Sequence, residues 1–126
     1  MRSSRTFAGS PPSVKAARDF TTDALVGAPK EVLDSVVLMV SELASNCVRF
    51  AATDFTVVVE RLGEEIRVEV ADGGGGAPTM RSPEPQDLSG RGLMIVEAMS
   101  EEWGVASATP APGKTVWFTV RPVPTA

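Results

Sequence analysis

Ile66-Arg-Val-Glu-Val-Ala-Asp72-Gly-Gly-Gly-Gly76 is the stretch whose reading decides the fold. Ile66, Val68 and Val70 alternate with Arg67 and Glu69, the period of a half-buried strand. The strand ends on one carboxylate followed by four glycines, through which a strand cannot continue without a large entropic cost. Glycine backbone lets a second body approach closely, so a carboxylate fixed beside it suits a polar, planar ligand. Read alone, the stretch is equally a flexible loop carrying a surface aspartate.

Working outward, Gly63-Glu64 makes a tight turn back to residues 55–62, which are rich in β-branched side chains; the two strands form a hairpin. Before it, Leu33, Val36, Val37, Val40, Leu43, Ala44, Cys47 and Phe50 form an amphipathic stripe that predicts a long helix over 32–51. Ser10-Pro11-Pro12-Ser13 starts an earlier helix, with Val14, Ala17, Phe20 and Leu25 on its apolar side. Residues 2–9, with Phe7, suit a short edge strand. Beyond the hairpin, residues 73–89 hold Pro78, Pro83 and Pro85 and no periodicity; so long a loop inside a compact domain is usually functional. A short helix over 90–99 and two strands over 103–108 and 115–120 complete the chain. Strands and helices do not alternate strictly, which argues against a doubly wound parallel sheet. The expectation is an α+β fold: a two-layer sandwich of one mixed sheet with its helices on one face, in a single domain over 1–126.

Composition narrows the chemistry. At 126 residues the chain can bury a core without staples. One cysteine, Cys47, allows no intrachain disulfide, and the lack of histidine excludes Cys/His zinc sites and Ser-His-Asp catalysis. A formal net charge of −4 argues against a broad nucleic-acid surface. No apolar run reaches membrane-spanning length and no signal-peptide core is present, so a cytoplasmic protein without membrane contact is expected.

Two further constellations carry chemistry. Glu42 and Asn46 are four apart on the long helix and share a face at the margin of its apolar stripe. The carboxamide oxygen suits Mg²⁺, and the carboxylate can orient or deprotonate an attacking hydroxyl. An ordinary exposed i, i+4 pair reads the same way. Ser89-Gly90-Arg91-Gly92-Leu93 is a glycine-rich helix start, where free N–H groups attract anions and Arg91 adds a cation; a glycine-capped helix start is the plainer reading. It has neither the Rossmann nor the P-loop pattern. Gly113-Lys114-Thr115 has the end of a P-loop but leads into a strand, not a helix, and is rejected as one.

Together, Glu42-Leu-Ala-Ser-Asn46, Asp72-Gly-Gly-Gly-Gly76, a long loop and Gly90-Arg-Gly-Leu93 resemble the GHKL ATPases, the superfamily of gyrase, histidine kinases and MutL. Val40-Ser-Glu-Leu and Gly113-Lys-Thr-Val-Trp-Phe look most like its stand-alone branch of anti-sigma factor serine/threonine kinases. The resemblance covers nearly the whole chain and implies a Bergerat fold that binds ATP and Mg²⁺ under a lid at about 77–89. It implies that Asp72 accepts from the adenine amino group, Gly74 and Gly76 shape the adenine wall, and Thr115 lies near the base. Asn46 would hold Mg²⁺, Gly90, Arg91, Gly92 and Leu93 would meet the phosphates, and Glu42 would be the catalytic carboxylate. The implied partners are a sigma factor and an anti-sigma-factor antagonist, phosphorylated on serine or threonine, and the branch commonly forms homodimers. Phe50 departs from the branch, whose members often have histidine there. Leu88 stands where some relatives carry a basic lid residue. A nucleotide-binding interaction module without kinase activity is the alternative function.

Overall fold

The structure, a computed structural model, describes residues 1–51, 53–73, 89–107 and 113–122, with backbone alone at 50, 51, 89–92 and 107. In chain order the elements are β1 (Arg2–Phe7), α1 (Pro12–Ala24), α2 (Lys30–Asn46), β2 (Phe55–Leu62), β3 (Glu65–Asp72), α3 (Ser89–Met99), β4 (Glu102–Ser107) and β5 (Lys114–Val120). A π-helical turn, Cys47–Ala51, continues α2. Gly74, Gly76, Leu88 and nearly all of the expected lid lie outside the described residues.

The strands form one sheet in the order β1-β2-β3-β5-β4. The α+β architecture is the expected one, with one refinement: every described ladder is antiparallel. Connections explain this. Two helices between β1 and β2 return the chain to the end it left, so β2 runs against β1. The β2–β3 hairpin closes on Gly63-Glu64 with Leu62 opposite Glu65, and Gly63 takes the positive φ, 66°, that such a turn requires. A single helix brings β4 back in the direction of β3, but β5 lies between them and opposes both.

The core lies between the sheet and α1 and α2. Val36, Met39, Val40 and Leu43 of α2, at i, i+3, i+4 and i+7, are buried with Val57, Val59, Val68, Val70, Val116 and Phe118. Each such side chain stabilises the fold by about 1.5–3 kcal/mol through removal from water. On α1 the buried residues are Ser13, Ala17, Thr21 and Ala24, while the expected Val14 and Phe20 pack at the margin. Small residues let this helix sit close, and Thr21 tolerates burial because its hydroxyl donates to the Ala17 carbonyl at 2.8 Å. Phe7 fixes the edge strand by stacking on Phe55, centroids 5.4 Å apart, with Phe20 edge-on at 5.9 Å.

Strand alternation divides β5 into two faces. Val116, Phe118 and Val120 point to the helices, and Trp117 lies on the other face. There its indole covers Gly104, where a Cβ would sit 2.8 Å from the ring, and the Arg67 guanidinium lies 4.6 Å over it.

Candidate functional site

Asp72 continues the inward-facing row Ile66, Val68, Val70 on β3, so alternation carries a carboxylate to the core side of the sheet. Its side chain is only 4% exposed. A buried carboxylate needs partners, and the next strand supplies them. Lys114 is the register partner of Asp72 on β5. The lysine Nζ donates to Asp72 Oδ2 at 3.0 Å, and the Lys114 backbone N–H makes a longer contact to Oδ1 at 3.4 Å. Gly113, with φ 118°, turns the chain into β5 just before this pair.

The first glycine of the run is pinned at the same end of the sheet. Gly73 N–H donates to Thr53 Oγ1 at 3.1 Å, and a Cβ on Gly73 would crowd that hydroxyl at 3.3 Å.

Helix α2 delivers the second constellation. Glu42 and Asn46 are both half-buried, at the margin of the stripe as the spacing predicts. Asn46 is the last residue of α2, immediately before the π-helical turn. Such turns widen the helix and recur at functional sites. Cys47, the next residue, is buried in the core. Its thiol is pushed up to about 12, chiefly by burial and then by the Asp72 carboxylate, with the Lys114 ammonium opposing both. Helix α2 packs against both β3 and β5, the strands that carry Asp72 and Lys114.

Ser89, Gly90, Arg91 and Gly92 form the first turn of α3, whose opening backbone N–H groups have no partner within the helix. Leu93 packs against the core and Val96 is fully buried, seating α3 beside α2. Thr115 pairs with Ala71 and belongs to the Trp117 face of β5, away from the Asp72 carboxylate. Lys114 holds the inward position beside that carboxylate. Sequence reading missed Lys114 because it weighed the tripeptide as a phosphate loop. Counting back by twos from Phe118 and Val116 finds it. A cleft of about 330 Å³, lined by Arg18, Leu33, Val37, Leu38 and Ser41 among others, opens between α1 and α2; none of the site residues lines it.

The five-stranded sheet with its helices on one side is the α+β sandwich expected from the sequence. The description of the histidine kinase-like ATPase domain matches residues 7–120, and the chain belongs to that family. No curated protein matches it. Among solved structures, the chain is similar to the RsbU and RsbW domains of Rv1364c from Mycobacterium tuberculosis, at 22% identity and a TM-score of 0.73. That match covers 96% of this chain and 32% of the other, so this chain spans about a third of its length. At this identity the likeness concerns the fold.

Proposed function

We propose that residues 1–126 form one ATP- and Mg²⁺-binding regulatory domain of the anti-sigma factor kinase type. In this reading it phosphorylates a serine or threonine of an anti-sigma-factor antagonist and binds a sigma factor. The observation that carries the reading is the buried Asp72 carboxylate, fixed at the end of β3, a strand against which α2, the helix that ends at Asn46, packs. An acid there accepts from the exocyclic amine of adenine, and Gly74 and Gly76 follow it in the chain as the wall of the base pocket. The likeness to a structure containing an RsbW domain supports the kinase branch.

The residues fit the cofactors. Among the described residues no group of three or more acidic, cysteine or histidine side chains is available to cage a metal. Mg²⁺ is commonly held by one or two protein oxygens together with phosphate and water, and one carboxamide, Asn46, matches that sparse demand. Held by Asn46, Mg²⁺ would supply positive charge to offset that of the phosphates. The first turn of α3, Ser89 to Gly92, offers backbone N–H groups to the phosphates, and residues 77–89 serve as the lid. Glu42, one helical turn before Asn46, orients the attacking hydroxyl and accepts its proton. Phosphoryl transfer depends mainly on positioning and charge stabilisation, so few catalytic groups are needed.

Calorimetry with ATP, ADP and GTP, with and without Mg²⁺, tests the site. Asp72→Asn should weaken ATP binding by about 1.5–3 kcal/mol, the worth of a hydrogen bond to a charged group, and relax the preference against GTP. Asn46→Ala should reduce the Mg²⁺ dependence of affinity. Unchanged ATP affinity in Asp72→Asn excludes the base site. Glu42→Ala should leave ATP affinity within a few fold and cut phosphoryl transfer to an antagonist by about 10²-fold. Wild-type protein that binds ATP but transfers no phosphate would identify the interaction module instead.

A further inference from the structure

Resting on that reading of Asp72, we propose that Lys114 is a second base-reading residue. Its ammonium, held against the Asp72 carboxylate, donates to the ring nitrogen that flanks the amine Asp72 accepts from. The pair is built for this. Asp72 and Lys114 face each other across neighbouring strands, on the core side of the sheet, with Nζ and Oδ2 3.0 Å apart. Strand pairing fixes both backbones, so the two groups approach a ligand as a unit.

Donor and acceptor counts leave room for a ligand. A carboxylate has about four acceptor positions and an ammonium three donors. Among the described residues Asp72 accepts from Lys114 Nζ and, at longer range, from the Lys114 N–H. Asp72 is buried, whereas the Lys114 side chain is 51% exposed and can turn its remaining donors toward a ligand. The pair thus presents an acceptor beside a donor. Adenine carries the complement, an N6 amine flanked by ring nitrogens that only accept. Guanine presents two acceptors, O6 and N7, along the corresponding edge, which sets an oxygen against the Asp72 carboxylate. Thr115, one residue on, lies on the opposite face and does not fill this role.

A simple latch makes the opposite prediction. If Lys114 only neutralises Asp72 until a nucleotide displaces it, removing the lysine should tighten ATP binding. The test is a cycle between protein and ligand: wild type, Lys114→Met and Lys114→Gln, each titrated with ATP, 1-deaza-ATP and 7-deaza-ATP. Wild type should bind at least one deaza analogue about 10-fold more weakly than ATP, as expected on losing a hydrogen bond to a charged group. In the lysine variants that difference should fall to within about twofold, because the lost partner is the same one. The analogue affected identifies N1 or N7 as the atom read. Variants that keep the full wild-type discrimination, or that bind ATP more tightly than wild type, overturn the proposal. So does a wild type that binds ATP and both analogues equally. A wild type that binds no adenine nucleotide removes the base site itself, a distinct result. Using ligand ratios within each variant removes any general loss of stability from the comparison, and Lys114→Gln supplies a second variant if Lys114→Met folds poorly.

Discussion

Lys114 meets Asp72 at 3.0 Å, while Lys15 meets Asp19 and Lys30 meets Asp34 at 2.8 Å along α1 and α2. Distance alone ranks the helical pairs first. Surroundings reverse the order. In both helical pairs the lysine and the aspartate are each more than 60% exposed, so water and salt compete with the contact at every moment. Asp72 is almost entirely buried and has little water to return to. The same two functional groups therefore make a surface decoration in one place and a structural obligation in the other. The obligation sits where the base is proposed to bind.

The sharpest way to break this comparison exploits its asymmetry. Removing Lys114 strands a buried carboxylate, whereas changing Asp72 strands a lysine that is already half in water. Lys114→Met should cost about 1–3 kcal/mol, the penalty for leaving a buried polar group without its partner. Asp72→Asn keeps the shape, removes the buried charge and should cost less. Urea unfolding of both variants at neutral pH decides it. Equal losses, or a larger loss for Asp72→Asn, would mean that the pair behaves like the exposed ones.

Much of this arrangement was legible in the sequence, for identifiable reasons. The alternation from Ile66 to Val70 required a strand, and its continuation put Asp72 on the buried side. The α2 stripe placed Glu42 and Asn46 at its margin without any tertiary information. Other features depend on partners that a linear reading does not supply. Whether β4 pairs with β3 depends on where β5 inserts, so the antiparallel ladders were not legible. The π-helical turn after Asn46 interrupts a stripe whose period continues smoothly through Cys47 and Phe50. Lys114 looked like the end of a phosphate loop because a lysine's role is set by what faces it, and Asp72 lies 42 residues away.

Cys47 offers a second probe of the buried pair, with a smaller effect. Its thiol is held near 12 in the folded protein, against an ordinary value of 9.0, chiefly by burial and then by Asp72. The sign follows from linkage. Above pH 9 the unfolded chain gives up the thiol proton and the folded one retains it, so the unfolded state binds fewer protons and stability falls as pH rises. The decline should approach about 1.4 kcal/mol per pH unit at most, between about pH 9 and the folded value near 12. Lysines add to alkaline destabilisation, so the quantity to measure is the difference between wild type and Cys47→Ala. Cys47→Ala should be less stable at neutral pH because it leaves a small void, and its deficit should shrink as pH rises. A deficit independent of pH would show that Cys47 ionises as freely in the folded protein as in the unfolded one. Slow labelling by a thiol reagent at pH 8, accelerated by denaturant, is the companion observation.

The smallest effect belongs to the helical pairs, and its smallness is the point. In Lys30–Asp34 the hydrogen bond to Asp34, followed by its charge, raises the lysine above its ordinary value. A raised lysine contributes stability below its unfolded value of 10.5, and that contribution is lost as pH climbs through the folded value. Both partners are exposed, so solvent screening leaves little of it to measure. For Lys15–Asp19, the equivalent pair on α1, an exposed i, i+4 contact is worth about 0.3–0.5 kcal/mol. Lys15→Ala should therefore change unfolding free energy by no more than that. Even this should vanish near 1 M salt, where the screening length falls to about 3 Å. The Lys114→Met penalty should persist in the same salt, because ions cannot replace a partner at a side chain from which solvent is excluded. Parallel unfolding of Lys15→Ala and Lys114→Met at low and high salt puts the two kinds of pair on one scale. If both penalties disappear together, burial is not what separates them, and Asp72 is as well solvated as Asp19.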